Sequence, residues 1–178
     1  NGRYLGMISR RNLLGNHGKQ IIMVDHNEAG QAVEGIESAD ILEIIDHHRL
    51  GGMQTGEPIY IREEPVGCTA TIIANMYWQN NVEIAAPIAG LLLSAIISDT
   101  VLFKSPTCTA YDMKTAERLA GIADVKMVQY GMDMLKAGSG IGGMSPMEIV
   151  KNDMKEFQFG DYHVLISQIS VMGYEEIM

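Results

Sequence analysis

The sequence predicts an α/β protein, a parallel sheet flanked by helices, followed by the start of a second α/β domain. Three features predict it. Short continuous apolar runs at Ile21–Val24 and within Ala39–Ile45 have the character of buried parallel strands. Four stretches of helical pattern follow, over 69–80, 85–98, 109–122 and 125–137. A glycine-rich stretch from Ala137 to Met144 then separates them from a fresh helix start.

The elements are justified in order. Gly2 is a turn residue, Tyr4 to Ile8 an apolar strand, and Ser9 the cap of a short helix carrying Leu13 and Leu14. Gly15, Asn16 and Gly18 break the chain. This piece is too small to bury a core by itself. The strands Ile21–Val24, Ala39–Ile45 and Pro58–Arg62 come next, and then the four helices. Ser145 at the N-cap, Pro146 at the first position and Glu148 at the third open another helix. Glu156–Phe159 and Tyr162–Ile169 read as strands joined by a Gly160-Asp161 turn. The chain begins on Asn1 and closes on a strand with an unfinished segment after it, so it is expected to be a piece of a longer protein.

Composition narrows the function. Thirteen Lys and Arg stand against 22 Asp and Glu, a formal net charge of −9. Nucleic-acid backbones need neutralising Lys and Arg, so a general nucleic-acid binder is excluded. A small polyanion is still within reach if metal cations supply the positive charge. Cys68 and Cys108 form no CxxC pair, which fits a reducing cytoplasm without disulfides or a thiolate zinc site. They read as small half-buried hydrophobes, and the 13 methionines as core filler. The longest apolar run, around Ile84 to Ile97, is interrupted by Pro87, Gly90 and Ser94 and is too short to cross a bilayer. No membrane partner is expected.

Three aspartates carry the chemical signal. Asp25 ends one strand and continues as Asp-His-Asn-Glu. Asp46 ends the next and continues as Asp-His-His-Arg. Asp99 ends an apolar helical stretch and is followed by Thr100. In open α/β sheets, ligands gather at the carboxyl ends of the strands. A lone Asp after a strand is most often a cap or turn former. Two such aspartates followed at once by His are the ligand chemistry of manganese, iron, cobalt or zinc. With no cysteine partner, an oxygen-rich site for a harder divalent metal is favoured. Carboxylates that bridge paired metals are a common device for cleaving phosphate esters and anhydrides.

Asp46-His47-His48 after an apolar strand resembles the signature of the DHH phosphoesterases. Asp25-His26-Asn27-Glu28 upstream and Ser98-Asp99-Thr100 downstream are similar to further motifs of their manganese-dependent (family II) inorganic pyrophosphatases. So are Phe103-Lys104-Ser105-Pro106-Thr107-Cys108-Thr109 and Met134-Leu135-Lys136-Ala137-Gly138. The resemblance implies hydrolysis of pyrophosphate to two phosphates by a metal-activated water. It implies two Mn2+ per complete site, with Co2+ or Mg2+ as substitutes, and a homodimer. Asp25 resembles the carboxylate bridging both metals, and His47 and Asp99 resemble ligands of the second. His48 matches a histidine facing the substrate phosphate or leaving group. Asp46 matches a residue that positions the site by hydrogen bonding. Lys155, in Asp153-Met154-Lys155-Glu156-Phe157, matches a lysine sent from the C-terminal domain to the substrate phosphate. Read without the resemblance, it is a solvated surface lysine beside an acid.

The first residues, Gly2 to Leu14, resemble the closing strand and helix of a CBS domain. A subgroup of these pyrophosphatases carries paired CBS domains that bind adenine nucleotides. The implied division is therefore 1–17 as a CBS tail and 18–138 as a DHH domain lacking its first strand. A linker follows at 139–144, and 145–178 opens the DHH-associated C-terminal domain. The family's first His-x-x-x-Asp-x-Asp strand and its late Arg-Lys pair find no match. The chain alone is accordingly expected to be inactive and to bind manganese weakly or at one site. Three alternatives compete. A DHH phosphodiesterase would carry a His-containing glycine-rich motif, but Gly138 to Gly143 has no His. An exopolyphosphatase differs in contacts beyond Met178. A degenerate nucleotide-sensing module conflicts with intact Asp25, His47, His48 and Asp99.

Overall fold

The apolar runs become strands that pair side by side. β1 (Gln20–Val24) lies parallel to β2 (Asp40–Asp46), and β2 parallel to β3 (Tyr60–Glu63), giving a three-stranded sheet in the order β1-β2-β3. The computed structural model describes residues 2–4, 6–9, 18–138, 144–152 and 154–167. Short 3-10 turns at Ala29–Gln31 and Ile36–Ser38 fill the β1–β2 connection. Ile36 from that connection packs on Met23 and Ile44, one face of the sheet. On the other face Ile45 packs with Val66 and Ile72. Ile22 and Val24, two residues apart and therefore on one side of β1, remain exposed.

Four helices carry most of the core: α1 (Thr69–Gln79), α2 (Ala86–Asp99), α3 (Ala110–Ala123) and α4 (Met127–Gly138). α2 is the centre, because it is apolar nearly all round. Its Ala89, Leu93, Ile96 and Ile97 have no exposed surface and pack with Ala74, Ala116 and Leu119. Pro87, which interrupts the apolar run in the sequence, sits in the first turn of α2, where its missing N–H is not needed. Ser94, inside the helix, satisfies its hydroxyl on Gly90 O at 2.8 Å and on Tyr130 Oη at 2.6 Å. No described helix is long and apolar enough to cross a membrane.

α5 (Pro146–Asn152) starts as the sequence predicts, with Ser145 and Glu148 exchanging hydrogen bonds as a capping box. β4 (Met154–Phe159) and β5 (Tyr162–Ser167) form an antiparallel hairpin. Its two-residue turn places Gly160 at φ 60, a conformation glycine adopts without steric cost. The Ser167 hydroxyl ties β5 to Val150 O of α5 at 2.6 Å.

The parallel sheet flanked by helices is as expected, and two local readings are corrected. Tyr4 to Ile8 forms no strand among its described residues. Residues 2–4 and 6–9 are irregular and exposed, and no described strand lies beside them to complete a ladder. The third strand begins at Tyr60 instead of Pro58, since proline has no N–H for the ladder and pairing starts at Glu43↔Tyr60. The short helix expected after Ser9 falls on residues outside those described. So do most of the expected linker, 139–143, and the segment 168–178.

Candidate metal centre

Parallel pairing brings the carboxyl ends of β1 and β2 together, and with them Asp25 and Asp46-His47-His48. Asp25 follows the last residue of β1 in the left-handed region, φ 68, which Asp tolerates better than most residues. Its N–H donates to Ile45 O at 3.0 Å, so the turn keeps the strand end attached to β2.

Asp46 has no exposed surface and organises the turn after β2. Its Oδ1 accepts from His47 N at 2.7 Å, His48 N at 3.2 Å and His48 Nδ1 at 2.8 Å. Its Oδ2 accepts from Asn27 Nδ2 at 2.6 Å. Burial pushes the Asp46 pKa up, but hydrogen bonds from His48, Asn27 and the two backbone amides outweigh it and hold the carboxyl below its ordinary value. Asn27 is itself fixed, donating to Arg49 O at 3.0 Å and accepting from Gly51 N.

Both imidazoles have a committed Nδ1. His47 Nδ1 lies 2.9 Å from Val66 O, and a carbonyl only accepts, so this nitrogen carries the proton and Nε2 the lone pair. That Nε2 stands 3.6 Å from Asp25 Oδ1. Two donors each about 2.1 Å from a common ion are separated by roughly 3–4 Å, so this spacing suits shared ligation. His48 Nδ1 faces Asp46. Its hydrogen bond to Asp46 raises the His48 pKa; burial opposes this, and the charges of Asp46, Asp25 and Asp99 add to it. The His48 side chain is 52% exposed and open to a ligand. Asp25, His47 and His48 each offer a ligand atom within 4.8 Å of the others. Nitrogen and oxygen donors of this kind fit manganese, cobalt, iron or zinc.

Asp99, the exposed last residue of α2, lies outside that group of three but close enough for its charge to act on His48. Burial first, and then the nearby Asp99 carboxylate, push the pKa of the Cys68 thiol far up. Lys155 lies exposed on β4 opposite Ile166. No hydrogen bond or ion pair joins it to Asp25, Asp46, His47, His48 or Asp99 among the described residues.

Four contributors escape a reading of the sequence. Thr69 donates its hydroxyl to Asp25 Oδ1 at 2.7 Å. Val66 supplies the carbonyl behind His47. Asn27 was visible only as part of a motif, without a role. Glu63, at the end of β3 and paired with Asp46 of β2, keeps a buried Oε2 without a hydrogen-bond partner, and burial and the Asp46 charge raise its pKa.

Residues 2–96 match the DHH family, N-terminal domain, and residues 132–178 match the DHHA2 domain. The chain is 50% identical over 157 residues to the manganese-dependent inorganic pyrophosphatase of Bacillus subtilis, covering 88% of this chain and 51% of that protein. It is 46% identical over 178 residues to the cobalt-dependent inorganic pyrophosphatase of Clostridium perfringens, covering 100% of this chain and 32% of that one. Among solved structures, a Methanococcus jannaschii protein assigned to the family II inorganic pyrophosphatases superposes with a TM-score of 0.72. The two are 44% identical, over 90% of this chain and 55% of that one. The chain thus spans about half the length, or less, of the relatives it matches.

Proposed function

The chain belongs to the DHH family, and on that premise we propose that its whole protein hydrolyses inorganic pyrophosphate to two phosphates. The observation that carries this reading is the convergence of Asp25, His47 and His48 at the carboxyl edge of a parallel sheet, with both Nδ1 atoms already engaged. The names of the Bacillus subtilis and Clostridium perfringens relatives support pyrophosphate as substrate and manganese or cobalt as metal. Bound divalent ions would supply charge neutralisation for the pyrophosphate and a water acidic enough to react at neutral pH.

The chain's own residues take the following parts. Asp25, His47 and Asp99 hold the metal. Asp46 fixes the His48 ring by accepting at Nδ1, which leaves Nε2 facing outward. The hydrogen bond to Asp46 raises the His48 pKa and so favours the form in which Nε2 carries a proton to offer a phosphate or leaving-group oxygen. Lys155 supplies a cation to the substrate phosphate from β4.

The finer readings belong to the same proposal. The division of the chain is 1–17, 18–138, 139–144 and 145–178, with adenine nucleotides acting through CBS domains in the whole protein. Support comes from the Clostridium perfringens relative. It aligns with all 178 residues, including the first 17, yet these make up only 32% of it. The whole protein is a cytoplasmic homodimer, and this chain alone does not turn over. The last point is supported by the half of the relatives' length that it spans.

The deciding experiment is phosphate release from pyrophosphate, with manganese, by the full-length protein. Release that drops by at least about 100-fold in Asp25→Asn and in His48→Gln supports the reading. Absence of release, with cleavage of a dinucleotide instead, moves the protein to the phosphodiesterases.

A further inference from the structure

We propose that the segment Val66–Thr69, held from behind by Asp112, is the device that positions the metal ligands, with Thr69 and Asp112 as positioning residues. The inference rests on the reading of Asp25, His47 and Asp99 as ligands.

Those three residues come from three separate elements: the end of β1, the end of β2 and the end of α2. Nothing in the strand or helix geometry alone fixes their side chains relative to one another. The segment from Val66 to Thr69, the entry into α1, touches His47 and Asp25 directly and packs against Thr100, the residue after Asp99. Val66 O accepts from His47 Nδ1 at 2.9 Å, which sets the tautomer and leaves Nε2 free. The Thr69 hydroxyl donates to Asp25 Oδ1 at 2.7 Å, which restrains rotation of an otherwise exposed carboxylate. Val66, Cys68 and Thr69 are all buried, so the segment holds its ligands from the protein side.

Asp112 fixes this segment. It has no exposed surface, and its carboxylate takes four donors. Two come from Thr109, whose N and Oγ1 lie 2.8 and 2.6 Å from Oδ2, as in any capping box at the start of α3. The other two come from far upstream. Gly67 N donates to Oδ2 at 2.8 Å and Thr71 Oγ1 to Oδ1 at 2.6 Å, 45 and 41 residues away. A capping role accounts for the first pair only. The second pair ties the positioning segment to α3. Gly67 is needed for that approach: a Cβ there would stand 2.8 Å from Thr100 Cγ2 and 3.0 Å from Asp112 Oδ2. Thr100 follows Asp99, so the same close packing sets the third ligand against the segment.

The test is titration of the 178-residue chain with Mn2+, followed by the paramagnetic resonance signal of free Mn2+, beside the thermal unfolding midpoint without metal. Thr69→Val keeps the shape and removes the donor. It is expected to weaken Mn2+ binding about 10- to 100-fold while leaving the metal-free midpoint unchanged. Thr69→Ser restores the hydroxyl and should recover binding close to the original. Asp112→Asn is expected to lower both affinity and midpoint, and should it fail to fold, the Thr69 pair decides. Equal Mn2+ affinity for Thr69→Val and the unaltered chain would overturn the inference. A folded, unaltered chain that takes up no Mn2+ would instead overturn the ligand reading beneath it, and the inference would fall with it.

Discussion

His47 and His48 are neighbours with ring centroids 4.1 Å apart, yet each commits its Nδ1 to a different kind of acceptor. His47 faces a neutral carbonyl and His48 a buried carboxylate. The carboxylate favours the protonated form of the His48 ring. Replacing Asp46 by Asn keeps the side-chain shape and removes the charge. The pKa of His48 should then fall, which a pH titration of the His48 ring signals by NMR will register; an unchanged midpoint would mean that Asp46 does not govern this proton. At this scale the sequence was informative where chemistry sits at a strand end: Asp25, Asp46, His47 and His48 could all be picked out. Thr69 and Asp112 could not. Each also fills an ordinary local place, the first residue of a helix and the third of a capping box. Their other partners lie 44 and 45 residues away, and no local pattern encodes such pairs.

Elements follow from periodicity, and their boundaries from local chemistry. α1, α2, α3 and α4 begin and end within about two residues of the ranges expected from apolar spacing. The central place of α2 depends on four side chains without exposed surface, so truncating one should be costly. Leu93→Ala is expected to lower unfolding stability by about 2–5 kcal/mol in urea titration, the range for a large core residue whose cavity collapses only partly. A loss below about 1 kcal/mol would place the core elsewhere. What periodicity did not reveal is the turn after α2. Val101, Leu102 and Phe103 all adopt positive φ, between 49 and 65, with no glycine to announce it. The turn is secured instead by bonds such as Leu102 N to Ile97 O at 2.9 Å and Ser105 N to Thr100 O at 2.8 Å. The Tyr4–Ile8 reading failed for the complementary reason, that an apolar run becomes a strand only beside another strand.

Across the whole molecule, one buried charge joins the strand half to the helical half. Burial pushes the Asp112 pKa up, but hydrogen bonds from Thr109, Thr71 and Gly67 outweigh this and hold it below its ordinary value. The sign follows from linkage. Near and below the ordinary carboxylate range the unfolded chain binds a proton that the folded chain refuses, so acid favours unfolding. The stability that Asp112 contributes is complete above that range and is lost as pH falls through the depressed folded pKa. Denaturant titrations at a series of pH values should show a steeper acid loss for the unaltered chain than for Asp112→Asn. Parallel curves would show that another group governs acid unfolding. The same carboxylate has a consequence in time. An amide hydrogen that points at a group with no exposed surface leaves for solvent only when the surrounding structure opens. The Gly67 amide is such a hydrogen, and its bond is also the one that holds the loop behind the ligands. Its exchange with deuterium therefore keeps a clock on how long the site stays assembled, readable before any metal is added.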